Sequence, residues 1–122
     1  MSKILVVDDA KNILLVLRMS LEKAGYEVVT AMDGISALEK AQEMDPDLIL
    51  LDILIPKMNG FLVFEALKDE PITAETPVIF ISAKAEEEDL EKARKLGAAD
   101  FLIKPINQDQ LLDTVEKYIE EE

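Results

Sequence analysis

Apolar and polar positions along the chain follow two patterns, one typical of strands and one typical of helices. Short unbroken runs of aliphatic and aromatic residues indicate strands that are covered on both faces. Five such runs occur, at Ile4–Val7, Val28–Thr30, Leu48–Leu51, Val78–Ile81 and Phe101–Ile103. After each run, apolar residues recur every three or four positions, as they do on one face of a helix. The pattern therefore predicts five strands, each followed by a helix.

The helical segments are less regular than the strands but equally numerous. The first places four apolar residues on one face, Ile13, Leu17, Leu21 and Ala24. It stops at Gly25, a residue type that often ends helices. The others centre on Ala37–Ala41, Phe61–Leu67, Leu90–Leu96 and Leu111–Ile119. Because strict alternation is typical of parallel sheets with helices on both faces, we expect an α/β fold. Residues 1–122 would form one domain, a doubly wound (βα)5 sheet of five parallel strands.

The composition narrows the class of protein. The chain contains no cysteine and no histidine, which excludes a disulfide framework, a thiolate metal site, a histidine base and a phosphohistidine on this chain. The net charge of −13 repels nucleic acid backbones, so we expect no direct binding of nucleic acid. The apolar runs are too short to span a membrane. These features favour a cytoplasmic protein without membrane contact.

Polar residues stand at the ends of four of the five predicted strands. In an open parallel sheet, ligands bind beyond the carboxyl ends of the strands, so these residues are expected to share one edge, called the rim below. In chain order they are Asp8, Asp9, Asp52, Ser82 and Lys104. The second strand ends at Ala31 and adds no obvious functional group.

The rim residues have the chemistry of a phosphoryl-transfer site. Three neighbouring carboxylates repel one another unless a cation lies among them, and oxygen ligands favour a hard ion such as Mg²⁺. The metal, the Lys104 ammonium and the Ser82 hydroxyl would together stabilise a phosphoryl group during transfer. One carboxylate would attack and become an aspartyl-phosphate. The residues alone do not decide which of the three it is.

Four strings of the sequence resemble one family. They are ILVVDDA, PDLILLDILIPKMNG, PVIFISA and GAADFLIKPI, and they resemble the CheY-like receiver domain of two-component response regulators. The resemblance covers essentially the whole chain. It implies the flavodoxin-like strand order 2-1-3-4-5 and a phosphoacceptor at Asp52. It also implies that Asp8, Asp9, Asp52 and the backbone carbonyl of Leu54 hold Mg²⁺, for which Mn²⁺ can substitute.

The same resemblance assigns roles to further residues. Lys104 is the residue that contacts the phosphoryl group. Ser82 and Phe101 form the switch that responds to phosphorylation. Leu54 and Lys84 lie where receivers tune the lifetime of the phosphate. The expected output surface consists of the fourth helix, the fifth strand and the fifth helix.

The chain departs from the family pattern at a few positions near the rim. Lys57 stands where a small residue is frequent, and Asn59 stands where aspartate is commoner. Neither departure removes a chemical requirement of the site. The family also implies a cis peptide bond between Lys104 and Pro105, which would aim the lysine at the rim.

The resemblance also implies partners. A histidine kinase or a histidine phosphotransfer protein would donate the phosphoryl group, and a downstream protein of unknown identity would receive the signal. The domain is then not an ordinary enzyme, although it would phosphorylate itself from small donors and dephosphorylate itself. Leu14 and Leu15 fall off the predicted buried stripe near Pro105 and Ile106, which indicates an apolar kinase-docking patch. The alternative is an unusually broad buried face.

Other interpretations of the same residues remain open at this stage. Asp8 and Asp9 could cap the first helix, and Asp52 could be a turn residue. Mg²⁺-dependent phosphatases that form an aspartyl-phosphate use similar groups, but in an Asp-x-Asp pattern after the first strand. A flavodoxin-like FMN carrier needs a phosphate-binding loop where the acidic pair stands. A receiver that only docks partners would lack the acceptor or the lysine.

Overall fold

Strands and helices alternate along the chain, as the pattern predicts. The computed structural model describes residues 1–83 and 86–119. The strands are β1 (Lys3–Val7), β2 (Glu27–Ala31), β3 (Leu48–Asp52), β4 (Val78–Ser82) and β5 (Asp100–Ile103). The helices are α1 (Lys11–Lys23), α2 (Gly34–Met44), α3 (Gly60–Lys68), α4 (Glu87–Leu96) and α5 (Gln108–Tyr118). Every predicted strand and helix is present.

The strands form one parallel sheet in the order β2-β1-β3-β4-β5, which confirms the expected order. β1 lies between β2 and β3, with Val7 opposite Leu51. β4 lies between β3 and β5, with Ile81 opposite Asp52. Because all strands run in the same direction, their carboxyl ends meet at one edge of the sheet, where the candidate rim residues stand.

The sheet separates two hydrophobic layers. Successive strand residues point to opposite faces, and both faces are covered, which is why the strand interiors are aliphatic or aromatic throughout. One layer packs α2, α3 and α4 against the face that carries Leu5, Ile49 and Phe80. The other layer packs α1 and α5 against the face that carries Val6 and Leu50. The architecture is therefore doubly wound, as expected.

The buried face of α1 is rotated from the predicted stripe. Leu17 and Leu21 are buried as expected, but the third buried residue is Leu14, whereas Ile13 is only partly buried. Ala24 follows the last helical residue and is exposed. The prediction that Leu14 lies off the buried stripe is therefore wrong. Adjacent helix positions are about 100° apart, and packing against the sheet turns Leu14 inward.

An aromatic cluster joins α3 to the last two strands. The ring of Phe80, at the centre of β4, is fully buried. Its centroid lies 5.1 Å from that of Phe61, 5.6 Å from that of Phe64 and 6.5 Å from that of Phe101. Tilted rings at such separations attract one another beyond simple area burial. Phe80 therefore packs against each of the other three rings of the cluster.

We expect Phe80→Ala to lower the free energy of unfolding by about 3–5 kcal/mol, because it leaves a cavity among three other rings. Urea denaturation measures this change. As a control, Leu62→Ala on the half-exposed face of α3 should change the free energy of unfolding by only about 0.5 kcal/mol. Equal effects of the two substitutions would show that the cluster does not stabilise the core in this way.

Candidate functional site

Two buried aspartates stand at the ends of the central strands. Asp52 is the last residue of β3 and is 4% exposed, and Asp8 follows β1 and is fully buried. Asp9 is exposed. Each of the three residues nevertheless offers one carboxylate oxygen, and these oxygens lie within 4.8 Å of one another. The structure thus brings together the three carboxylates that the sequence placed on the rim.

Lys104 reaches these carboxylates from the end of β5. Its Nζ lies 2.8 Å from Asp52 Oδ2 and 2.7 Å from Asp8 Oδ2. Its backbone N–H donates a hydrogen bond of 2.8 Å to the carbonyl of Ser82, which anchors the base of the side chain at the end of β4. The bond between Lys104 and Pro105 is cis, as expected.

Nearby backbone N–H groups orient the other carboxylate oxygens. Ala10 donates to Asp8 Oδ1 at 3.0 Å, and Leu54 donates to Asp52 Oδ1 at 3.1 Å. The N-cap of α1 is Ala10 and has no side-chain cap hydrogen bond. The alternative in which Asp8 and Asp9 cap this helix is therefore wrong. The turn contact of Asp52 occupies one oxygen and leaves the other directed at the ammonium.

Burial and charge oppose each other in the central ion pair. Burial raises the pKa of the Asp52 carboxyl, the hydrogen bond from Lys104 lowers it, and the charge of Asp8 raises it again, so the net direction is upward. Burial lowers the pKa of Lys104, but its hydrogen bond to Asp52 and its close ion contact with Asp8 outweigh burial and raise the pKa overall. The lysine is therefore held firmly in its charged form.

The rim fits a divalent metal ion. Within the described part of the chain, one ammonium faces three carboxylates, which leaves two negative charges without a cation. The buried Oδ2 of Asp8 makes its ion contact with Lys104 but no well-directed hydrogen bond to a described residue. Carboxylate oxygens are the ligands that Mg²⁺ prefers, and Mg²⁺ usually keeps several positions for water or phosphate. The exposed Asp9 would leave such positions open to solvent.

The two predicted switch residues stand at different depths in the sheet. Ser82 ends β4 at the rim and is buried. Phe101 is partly buried on β5 and packs against Phe80, further from the rim. Leu54 is exposed beside Asp52, and Lys84 lies outside the described residues.

The loop after β2 makes contacts that the sequence did not reveal. Asp33 Oδ2 lies 3.6 Å from Lys57 Nζ, and the Gly34 N–H donates to the Pro56 carbonyl at 3.3 Å. Both contacts reach the segment between β3 and α3, which carries Leu54. In the sequence, an Asp-Gly pair before a helical segment indicates only an ordinary helix start, and a contact with a distant loop has no local signal.

Known proteins resemble this chain in sequence. A profile of the response regulator receiver domain matches residues 4–116. The alkaline phosphatase synthesis transcriptional regulatory protein PhoP of Bacillus subtilis is 43% identical over 105 residues, which are 86% of this chain and 43% of PhoP. Protein PilH of Pseudomonas aeruginosa is 36% identical over 115 residues, which are 94% of this chain and 95% of PilH. The chain thus spans less than half the length of PhoP but nearly all of PilH.

Solved structures share the fold. Chemotaxis protein CheY4 of Vibrio cholerae has a TM-score of 0.93 at 35% identity, over 98% of this chain and 99% of that one. The receiver domain of sensor histidine kinase PA1611 from Pseudomonas aeruginosa, solved with a magnesium ion in its active-site cleft, has a TM-score of 0.88 at 27% identity and 96% coverage of both chains. No helix among the described residues is long and apolar enough to cross a membrane. The chain belongs to the response regulator receiver domain family, whose members are phosphoacceptor domains in signal transduction.

Proposed function

We propose that Asp52 accepts a phosphoryl group from a phosphohistidine of a partner kinase or phosphotransfer protein. The main support for the proposal is the environment of the Asp52 carboxylate. Asp52 lies between the Lys104 ammonium and the Leu54 N–H, with Asp8 and Asp9 beside it. It stands at the end of the central strand, where the other rim residues converge on it. The proposal treats residues 1–122 as one receiver domain.

The reaction exchanges one bond to phosphorus for another. A carboxylate oxygen of Asp52 attacks the phosphorus, a P–O bond forms, and the P–N bond to the partner's imidazole breaks. The electron pair of the broken bond stays on the imidazole nitrogen, which can take up a proton. Lys104 stabilises the negative charge of the phosphoryl oxygens during transfer. The buried rim holds the carboxylate and the ammonium in place before the partner arrives.

The rim carboxylates Asp8, Asp9 and Asp52, with the carbonyl of Leu54, would hold Mg²⁺ in this proposal. When bound, the ion supplies positive charge and coordination positions for the phosphoryl oxygens. Mn²⁺ would suit the same oxygen ligands. The remaining two negative charges of the rim support this assignment.

The proposed chemistry is limited to adding a phosphoryl group to Asp52 and removing it again. We include self-phosphorylation from small donors and slow self-dephosphorylation, both of which use the same rim groups. Because Leu54 is exposed next to Asp52, its side chain stands where it can restrict the approach of water. The protein therefore acts as a phosphoacceptor switch and not as an ordinary enzyme.

The signal would leave through the surface of α4, β5 and α5. Phosphorylation draws the Ser82 hydroxyl toward the phosphoryl group, and the aromatic side chain of Phe101 responds on the neighbouring strand. Such a change shifts the populations of two existing states and does not create a new fold. A downstream protein would recognise the shifted surface. The strong negative charge favours this protein partner over nucleic acid. The absence of cysteine suits a cytoplasmic location.

The outer face of α1 would receive the donor protein. Leu15, Val16 and Met19 are 57%, 62% and 61% exposed and form an apolar stripe on this face. Beside the stripe, a mainly apolar groove of about 480 Å³ passes Ile106 and reaches Lys104. Exposed apolar surface of this kind often marks a contact with another protein. A donor bound here would lie next to the rim.

Phosphoramidate with Mg²⁺ should add one phosphoryl group to the protein, as measured by intact mass. Asp52→Asn should abolish the addition because the attacking carboxylate is gone, whereas Asp69→Asn on the exposed end of α3 should leave it unchanged. Phosphorylation of Asp52→Asn would contradict the assignment of the acceptor. Steady hydrolysis of diverse phosphoesters would identify a phosphatase instead.

Mg²⁺ should raise the melting temperature of the wild-type protein, because binding at 100 times the dissociation constant stabilises the fold by about 2.7 kcal/mol. Asp9→Asn should remove most of this increase with little effect on the metal-free protein, since Asp9 is exposed. Glu43→Gln, which neutralises an exposed acid on α2, should keep the increase. If Asp9→Asn and Glu43→Gln respond alike, Asp9 is not a ligand.

Leu15→Asp should slow phosphotransfer from a phosphorylated histidine phosphotransfer protein roughly 10-fold, equivalent to about 1.4 kcal/mol of docking free energy. The rate with phosphoramidate and the melting temperature should stay unchanged. Ile72→Asp, at an exposed apolar position before β4 and far from α1, is the matched control. Loss of fold in Leu15→Asp, or an unchanged transfer rate, would contradict the docking face.

A further inference from the structure

The start of α2 makes a close contact with the segment of residues 53–59, called the acceptor loop below. Gly34 is the first residue of α2, and its N–H donates to the Pro56 carbonyl at 3.3 Å. A Cβ atom at position 34 would lie 2.6 Å from Met58 Cβ, 3.0 Å from Val63 Cγ2 and 3.1 Å from the Met58 carbonyl oxygen. Real Cβ atoms essentially never approach another atom to 2.6 Å, and the two longer contacts are also tight. The acceptor loop is therefore in direct contact with the backbone at Gly34.

A second contact joins the same two segments. Asp33 is the N-cap of α2, and its Oδ1 accepts a hydrogen bond of 2.7 Å from the Ser36 N–H. Its Oδ2 lies 3.6 Å from Lys57 Nζ. Lys57 has a φ of +69°, in the left-handed region that non-glycine residues seldom adopt. The loop thus turns sharply at the point where it pairs with Asp33.

The ends of the acceptor loop are fixed at the rim. The Leu54 N–H donates to Asp52 Oδ1 at 3.1 Å, and the Gly60 N–H donates to the Ile53 carbonyl at 2.8 Å. The first bond aims a carboxylate oxygen, and the second closes the loop. The middle of the loop, however, rests on α2. The position of Leu54 therefore depends on a helix that carries no rim residue.

We propose that Gly34 is a positioning residue, through which the start of α2 sets the place of the acceptor loop against the phosphoacceptor. This inference rests on the proposed function of Asp52 and adds a residue that touches neither metal nor phosphate. It assigns to the start of α2 a role in the chemistry of the rim.

Helix formation alone does not explain the glycine. Gly34 does not have a positive φ, unlike Gly25 and Gly97, so the backbone here does not require it. Alanine is the better residue within a helix, and the close approach of the loop is what excludes it. The ion pair between Asp33 and Lys57 is the weaker contact, because the lysine side chain is mostly exposed. Gly34 is therefore the principal residue of this contact.

The test adds a Cβ atom at position 34 and then removes the side chain that this atom would meet at position 58. Gly34→Ala should push the acceptor loop away and lower the rate of phosphorylation by phosphoramidate roughly 10- to 100-fold, because small misplacements of reacting groups have effects of this size. Calorimetric titration should show weaker binding of Mg²⁺. Met58→Gly removes the atom that the new Cβ would meet. The double variant should therefore recover at least part of the rate and of the Mg²⁺ affinity, which a general loss of stability would not produce.

A measurement on the metal-free protein gives an independent readout. In Gly34→Ala, the amide hydrogens of Leu54 and Gly60 should exchange faster than in the wild type, and the double variant should slow them again. Gly25→Ala is the control for stability, because its φ of +102° strains alanine at the opposite edge of the sheet. It should lower the melting temperature and leave the phosphorylation rate and the exchange of these two amides unchanged.

Three outcomes would overturn the proposal: wild-type rate and exchange in Gly34→Ala, absence of any recovery in the double variant, or an equal loss of rate in Gly25→Ala. Failure of the proposed function gives a different result, since the wild-type protein would then neither gain a phosphoryl group nor bind Mg²⁺. The exchange of the loop amides in the metal-free variants would still decide whether Gly34 positions the loop.

Discussion

One ammonium set against two buried carboxylates holds the functional edge of this protein together. Lys104 lies 2.8 Å from Asp52 and 2.7 Å from Asp8, and both acids are almost fully buried. A buried charge is costly unless it is paired, so each of these groups depends on the other two. The strand order makes this pairing possible. β4 lies between β5 and β3, and only a long side chain anchored beside Ser82 can reach across it.

The pairing is incomplete, and the proposed function depends on the negative charge that remains. With Asp9 included, the rim carries more negative charge than one lysine can neutralise. In the proposed function, a divalent cation would complete the balance of charge and would also bind the oxygens of the phosphoryl group. The fold thus keeps unneutralised negative charge at the edge of its sheet, although a neutral site would be more stable. The burial that raises the pKa of Asp52 is part of the same arrangement.

The helices α3 and α4, which lie near the site, are anchored in the core to different extents. α3 contributes Phe61, Val63, Phe64 and Leu67 to the core, whereas α4 fully buries only Ala93. The Lys92 ammonium lies 4.6 Å from the centre of the Phe61 ring and adds one polar contact between these helices. An element with few buried apolar contacts shifts at a lower free energy than its neighbours. The shallow anchoring of α4 therefore supports the proposed output surface, which includes this helix.

Local sequence was sufficient for the strands and for most of the rim, because both depend on short-range patterns. A run such as Leu48–Leu51 is buried on both faces in any parallel sheet, and the polar residue that follows it must stand at the carboxyl edge. The rotation of α1 was different, since Ile13 and Leu14 are equally apolar and only packing against the sheet chose Leu14. The contact of Gly34 with the acceptor loop also depends on tertiary structure, because it joins segments far apart in the chain through space. The sequence by itself thus determined the alternation of elements and the chemistry at the strand ends, whereas the three-dimensional packing decided which helix faces turn inward and which loops support the site.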